Sequence, residues 1–179
     1  MTTYIALLRA INLGGRTSLA MAELRGLCAE IGWRDVRTYI QSGNVVFKAE
    51  GESAELEVRL EAALAQKWGR EVPVLVRTAA QWRGYVAANP LAEISGAEPS
   101  RTLLTVPKHA LHADAVERLQ QRAKDGEIIA EANGALWIHY RNGAGTTKLS
   151  PDLIGRMAGS LVTARNWRTV LKLHEMMHE

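Results

Sequence analysis

The chain has 179 residues, with 22 Lys plus Arg against 19 Asp plus Glu and 47% apolar content. Those proportions exclude a disordered or collagen-like chain and allow one globular domain or two small ones, either able to bury a core. The net charge of +3 permits an anionic partner without requiring one.

The single cysteine, Cys28, excludes an intramolecular disulfide and suits a reducing compartment. Its place between Leu27 and Ile31 on a helical pattern reads as a small buried hydrophobe rather than a catalytic thiol. The N-terminus has no basic region, and the apolar run 5–8 is broken by Arg9, so neither a signal peptide nor a membrane span is expected. The expectation is a soluble cytoplasmic protein without a membrane partner.

In chain order, residues 4–9 form a short apolar strand that ends at Asn12-Leu13-Gly14-Gly15. Met21, Leu24, Leu27, Cys28 and Ile31 recur at helical spacing, with Gly32 as a stop. Residues 36–41 alternate, Ser42-Gly43 is a tight turn and 44–48 returns, which makes a hairpin. Ser53 is placed to cap the next helix, whose apolar stripe is Leu56, Leu60 and Leu64, with Glu55, Glu57, Arg59 and Glu61 on a solvated face. Residues 72–77 close the unit. A helix with a capping box, Thr78 and Gln81, follows, and the Pro-, Gly- and Ser-bearing stretch 89–100 reads as a boundary between lobes 1–89 and 90–179.

The second half repeats the order. Residues 101–106 are a strand, Asp114 stands near the start of a helix carrying Ala115, Val116 and Leu119, and 127–132 and 135–141 flank Asn133-Gly134 as a hairpin. Ser150-Pro151 opens a helix, 161–163 is a short strand, and Asn166 is placed to cap a C-terminal helix through Val170, Leu173 and Met177. Each half is therefore β-α-β-β-α-β, and the fold class is α+β with two tandem ferredoxin-like lobes.

The stretches Tyr4-Ile-Ala-Leu-Leu-Arg9-Ala-Ile-Asn12-Leu-Gly14-Gly15, Met21-Ala-Glu-Leu24, Thr38-Tyr-Ile-Gln-Ser-Gly-Asn-Val-Val-Phe47, Lys148-Leu149 and Thr163-Ala-Arg165-Asn166-Trp167 resemble a bacterial domain-of-unknown-function family, the one numbered sixteen ninety-seven. The resemblance spans nearly the whole chain. It implies two ferredoxin-like lobes and no catalytic assignment. The sequence departs from it at Ala10, where glycine is expected, and at Ala164, where threonine is expected.

His174-Glu175-Met176-Met177-His178 matches the H-E-x-x-H pattern, but only Glu179 follows, so no later segment supplies a third ligand. No metal and no cofactor are expected. Two polar, glycine-bearing turns, 12–18 and 143–148, precede helices and suit an anion without matching a nucleotide-hydrolysing loop. Arg165 stands at the start of the last helix, where a cation opposes the helix dipole and calls for a compensating anion. Arg37, Tyr39 and Gln41 on one hairpin and Trp137, His139 and Arg141 on the other resemble the base-stacking layout of single-strand binders, unless the two sheet faces cover each other.

The candidate ligand-binding residues are thus Arg9, Asn12, Gln41, Ser42 and Asn44 near the first strand and hairpin turn, and Lys148, Arg165 and Asn166 at an anion end. The expected function is binding of an anionic ligand in a cleft between the lobes, either a nucleotide-like or phosphorylated small molecule or single-stranded nucleic acid. The alternatives are an enzyme acting on a phosphorylated metabolite at the same cleft and a structural or dimerising protein. The sequence leaves catalysis and homo-oligomerisation open.

Overall fold

The first lobe runs β1 (Thr2–Leu8), α1 (Met21–Glu30), β2 (Arg34–Tyr39), β3 (Asn44–Ala49), α2 (Ser53–Trp68) and β4 (Val74–Thr78). α3 (Ala79–Ala87) and α4 (Ala92–Ala97) follow. The second lobe runs β5 (Thr102–Pro107), α5 (Ala115–Arg122), β6 (Ile128–Ala132), β7 (Ala135–His139), α6 (Pro151–Ala158) and β8 (Val162–Asn166), and α7 (Trp167–Met176) ends the chain. This computed structural model describes residues 1–13 and 18–178. Each lobe has a four-stranded antiparallel sheet, ordered β2-β3-β1-β4 and β6-β7-β5-β8. The architecture is α+β with two tandem ferredoxin-like lobes. Two compact units result: Met1–Trp82 with the residues from Leu173 onward, and Arg83–Lys172.

Local chemistry accounts for most element ends. Thr78 and Gln81 form the expected reciprocal box, the Gln81 amide donating to Thr78 Oγ1 (3.1 Å) and the Thr78 amide to Gln81 Oε1 (2.9 Å). Ser150 Oγ accepts from the Leu153 amide, Pro151 takes the first turn, and left-handed Gly159 ends α6. Asn133 (φ 53°) and Gly134 (φ 75°) both lie in the left-handed region, the geometry that lets a two-residue hairpin follow the strand twist.

The core of the first lobe sets Tyr4, Ala6, Leu8, Val45, Phe47, Val74 and Val76 of the sheet against Leu24, Leu27 and Cys28 of α1 and Leu56, Leu60 and Leu64 of α2. Trp33 stacks flat on Phe47, with centroids 3.6 Å apart. Cys28 is fully buried, and burial pushes its thiol up to about 12, so it stays protonated and inert. On the opposite face of the same sheet Ile5, Leu7, Val46 and Leu75 are also buried. In the second lobe Ile129, Leu136 and Ile138 pack with Leu119 of α5 and Ile154 and Ala158 of α6.

Four expectations are corrected. α2 is capped by Glu52 rather than Ser53, because the carboxylates of Glu52 and Glu55 reach each other's end of the first turn. α4 lies inside the stretch expected to be irregular, where Asn89 braces it through Ser95 Oγ (2.8 Å) and the Leu91 amide (2.9 Å). The last strand extends to Asn166, so Arg165 is a strand residue paired with Leu104 and not a helix-start residue. Finally, Glu57 is buried and Glu61 half-buried rather than on a solvated face. They reach the edge of the first sheet, where Glu57 Oε1 accepts from the Val76 amide and Glu61 Oε1 from the Val74 amide, each at 2.8 Å. β4 is an edge strand, so these amides have no neighbouring strand, and two carboxylates one helical turn apart take its place.

Glu57 is buried and also faces Arg77 at 3.5 Å. Glu57→Ala is expected to destabilise the fold by about 2–3 kcal/mol, because it leaves a buried amide unpaired, and Glu57→Gln by clearly less, because the acceptor survives. Chemical denaturation of the two variants checks the ordering.

Candidate functional site

The first group of candidate residues converges at one end of the first sheet. The Leu8 amide donates to the Gly43 carbonyl (2.9 Å) and the Arg9 amide to the Pro73 carbonyl (2.9 Å), so the chain leaving β1 runs beside the β2–β3 turn. Asn12 ties the two together. Its Nδ2 donates to the Gln41 carbonyl (2.7 Å) and the Leu19 carbonyl (3.0 Å), and its Oδ1 accepts from the Leu19 amide (2.7 Å). Asn44 is fully buried and donates from Nδ2 to the Tyr39 carbonyl (3.0 Å) and to Ser42 Oγ (2.9 Å). The Asn12 carboxamide and Asn44 Nδ2 therefore shape this tip, while Arg9, Gln41 and Ser42 keep exposed surface. Gly43 (φ 75°) has no substitute, since a Cβ there would lie 2.6 Å from Ile11 Cδ1 and 2.7 Å from Leu8 Cβ. Ala10, Asn12 and Ile40 are also left-handed, which concentrates backbone strain at the tip. Residues 14–17 of the expected anion-binding turn lie outside the described residues.

The second group occupies two places. Lys148 is exposed on the loop 140–150, and among the described residues its side chain has no hydrogen bond or ion pair. Its loop is braced from below. Thr147 Oγ1 donates to Glu127 Oε1 (2.6 Å) and accepts from the Leu149 amide (3.1 Å), and Glu127 Oε2 accepts from the Asp125 amide (2.9 Å). Burial pushes the Glu127 carboxyl up, but the Thr147 hydroxyl and the backbone amides outweigh it and hold the group below the ordinary carboxylate range. The neighbouring Tyr140 is pushed up to about 12 by burial and by the Glu127 charge. The Thr147 hydroxyl is therefore spent on Glu127, and Thr146 Oγ1 on the Asn142 carbonyl (3.2 Å), so neither hydroxyl of the turn expected to suit an anion is wholly available to one.

Arg165 donates from Nη1 to Thr163 Oγ1 (2.9 Å) and the Ala164 carbonyl (2.8 Å). Burial lowers its pKa to about 10, so the guanidinium stays charged at neutral pH in a partly desolvated place. Asn166 Oδ1 accepts from the Thr169 amide (3.0 Å), the helix cap expected of it.

The base-stacking layout is not present on the second hairpin. Trp137 is 0% exposed and lies edge-on to Trp167, and His139 is 3% exposed. His139 instead joins a constellation that the sequence did not suggest. Its Nε2 lies 3.1 Å from Glu98 Oε2 and its Nδ1 3.0 Å from Thr102 Oγ1, while Arg101 holds the other Glu98 oxygen at 3.0 Å. Hydroxyl, imidazole and carboxylate stand in the order of a nucleophile relay. Thr102 is 0% exposed, however, and no substrate reaches its hydroxyl, so the network serves to satisfy a buried imidazole. The cross-strand pairing Thr102↔His139 creates it, and no spacing in the sequence announces it.

His174 and His178 lie edge to face with ring centres 5.1 Å apart. Among the described residues no three His, Cys, Asp or Glu side chains gather as a metal site. Among the same residues no helix is long and apolar enough to cross a membrane.

The model of a protein family described as of unknown function, DUF1697, matches residues 1–137. The chain belongs to the DUF1697 family. A solved structure of a conserved bacterial protein from Streptococcus pneumoniae is similar to this DUF1697 chain over all of it and 99% of the other chain, at 24% identity and a TM-score of 0.77, which shows the shared fold. No curated protein matches. Both departures from the family resemblance fall on informative positions. Ala10 sits at φ 54°, where glycine is at ease, and Ala164 pairs with Thr105, whose buried hydroxyl has no hydrogen-bond partner among the described residues.

Two outcomes follow. Ala10→Gly is expected to stabilise this DUF1697 protein by about 0.5–1 kcal/mol, read as a rise in melting temperature. Thr147→Val is expected to cost about 1–2 kcal/mol at neutral pH. A carboxylate with a depressed folded pKa stabilises above its unfolded pKa and loses that contribution as pH falls through the folded value. Without Thr147 the folded pKa rises, so the acid-unfolding midpoint should move to higher pH.

Proposed function

We propose that the protein is a binding module for an anionic small molecule, nucleotide-like or phosphorylated. One observation carries the reading: a buried carboxylate, Glu127, shapes the surface loop that presents exposed Lys148. Burying a carboxylate is costly unless hydrogen bonds compensate, and a lysine that only had to be solvated would need no such brace. The loop passes directly into the Ser150-capped start of α6, whose dipole adds to the attraction for an anion. The desolvated Arg165 guanidinium, in the same compact unit, is the further cation assigned to ligand recognition. Small molecules are favoured over single-stranded nucleic acid because Trp137 and His139 of the second hairpin are buried, so that of the rings expected to stack bases Tyr39 alone is half-exposed.

Native mass spectrometry of protein purified under non-denaturing conditions tests this. Wild type is expected to retain a phosphorylated small-molecule adduct, and Lys148→Ala to lose it by about tenfold or more with its melting temperature shifted by less than about 1 °C. Lys148 is the clean probe, because Arg165 is hydrogen-bonded within β8 and its removal perturbs the strand. An adduct-free wild type, or an adduct unchanged in the variant, overturns the assignment.

A further inference from the structure

An open groove of about 600 Å³ lies on the first lobe, away from the tip, lined by Thr3, Asp35, Arg37, Val46, Lys48 and His178 among others. The register makes it one surface: Thr3 pairs with Lys48, and Val46 with Arg37, so these four side chains point to the same face of the sheet. The remaining wall is the chain just beyond α7, which Arg37 secures by donating from Nη2 to the Met176 carbonyl at 2.5 Å. A guanidinium at that position also complements the negative end of the helix dipole.

Two features set this groove apart from an ordinary surface depression. β2 carries a bulge between Arg34 and Arg37, and within it Asp35 is held at φ 51°. Bulges re-aim side chains, and left-handed backbone at a non-glycine residue is retained only where the surrounding structure enforces it. The bulge brings Asp35 to the groove, where it accepts from Lys48 Nζ at 2.7 Å. That pair is solvent-exposed and therefore weakly held, so a stronger anion can displace the carboxylate. Among the described lining residues, Arg37 and Lys48 against Asp35 leave one net positive charge, and Thr3 and His178 add further hydrogen-bonding groups beside an apolar floor at Val46.

We infer that this groove is a second anion site, taking a phosphate-bearing small molecule whose oxyanion replaces Asp35 on Lys48 and is met by Arg37, Thr3 and His178. Asp35 then acts as an internal competitor that keeps Lys48 in place when the groove is empty. The site goes beyond the reading built on Lys148, since it shares none of its residues.

Inorganic pyrophosphate is the probe, titrated into the full chain by calorimetry with amide and His178 resonances followed by NMR. Wild type is expected to bind with Kd of about 1 mM or tighter, with shifts centred on Thr3, Val46 and His178. Lys48→Ala should weaken binding about tenfold, and Asp35→Asn should tighten it about threefold by removing the competing charge. Both side chains are exposed, so each variant is expected to fold. No binding up to about 10 mM, or an affinity unchanged in Lys48→Ala, overturns the site. If Lys148→Ala instead abolishes binding while Lys48→Ala leaves it intact, the groove assignment fails and the reading built on Lys148 stands. If the groove binds and Lys148→Ala has no effect on any ligand, the reverse holds.

Discussion

The register of the central strands governs where every polar group of this protein ends up. β1 and β5 are each hydrogen-bonded on both sides, so neither can slip without turning its apolar residues to the wrong face. Pairing Leu7 with Asn44 places the exit from β1 against the β2–β3 turn and creates the strained tip. Pairing Thr102 with His139 and Leu104 with Arg165 places an imidazole and a guanidinium within the second lobe. Pairing Thr3 with Lys48 and Val46 with Arg37 collects the cations of the groove.

Polar side chains then finish what the backbone ladders leave undone. Glu57 and Glu61 serve as a substitute strand for the β4 edge, and Asn12 closes the segment between β1 and α1. Glu127 gives the loop before α6 its shape, and Asn89 steadies α4. Each is a polar group whose removal leaves buried partners unsatisfied, and that cost explains why so few of the sequence-selected polar residues remain wholly available to a ligand. Asn12, Asn44 and Asn166 each spend side-chain bonding capacity on the fold. Among the described residues Lys148 does not, and this contrast is what supports the role proposed for it.

Strain is distributed unevenly. Of the non-glycine residues at positive φ, Asn133 belongs to a hairpin turn that demands it, whereas Ala10, Asn12 and Ile40 crowd the tip and Asp35 marks the groove. The tip and the groove belong to the same lobe, so the first lobe carries most of the conformational cost. The second lobe contributes a braced loop with regular strands around it.

Much of the fold was legible in the sequence because its signals are short-range. Leu56, Leu60 and Leu64 at spacing four, Asn133-Gly134, the Thr78–Gln81 box and Ser150-Pro151 each act within one or two turns of chain, and each formed where expected. The convergence of Arg9, Asn12, Gln41, Ser42 and Asn44 was legible for the same reason, since a hairpin turn must lie beside the strand it pairs with. The roles of Glu57, Glu98, Thr102 and His139, the bulge at Asp35 and the groove at Lys48 were not. A glutamate on a helix reads as solvated whether or not an edge strand lies within its reach. A histidine on a strand shows its partners only once the register sets which residues face it. The amino-acid sequence alone determined the element order, the turns and the apolar faces, because those depend on neighbours a few residues apart. The tertiary structure decided which polar groups are buried, braced or left exposed, because that depends on pairings between residues tens of positions apart.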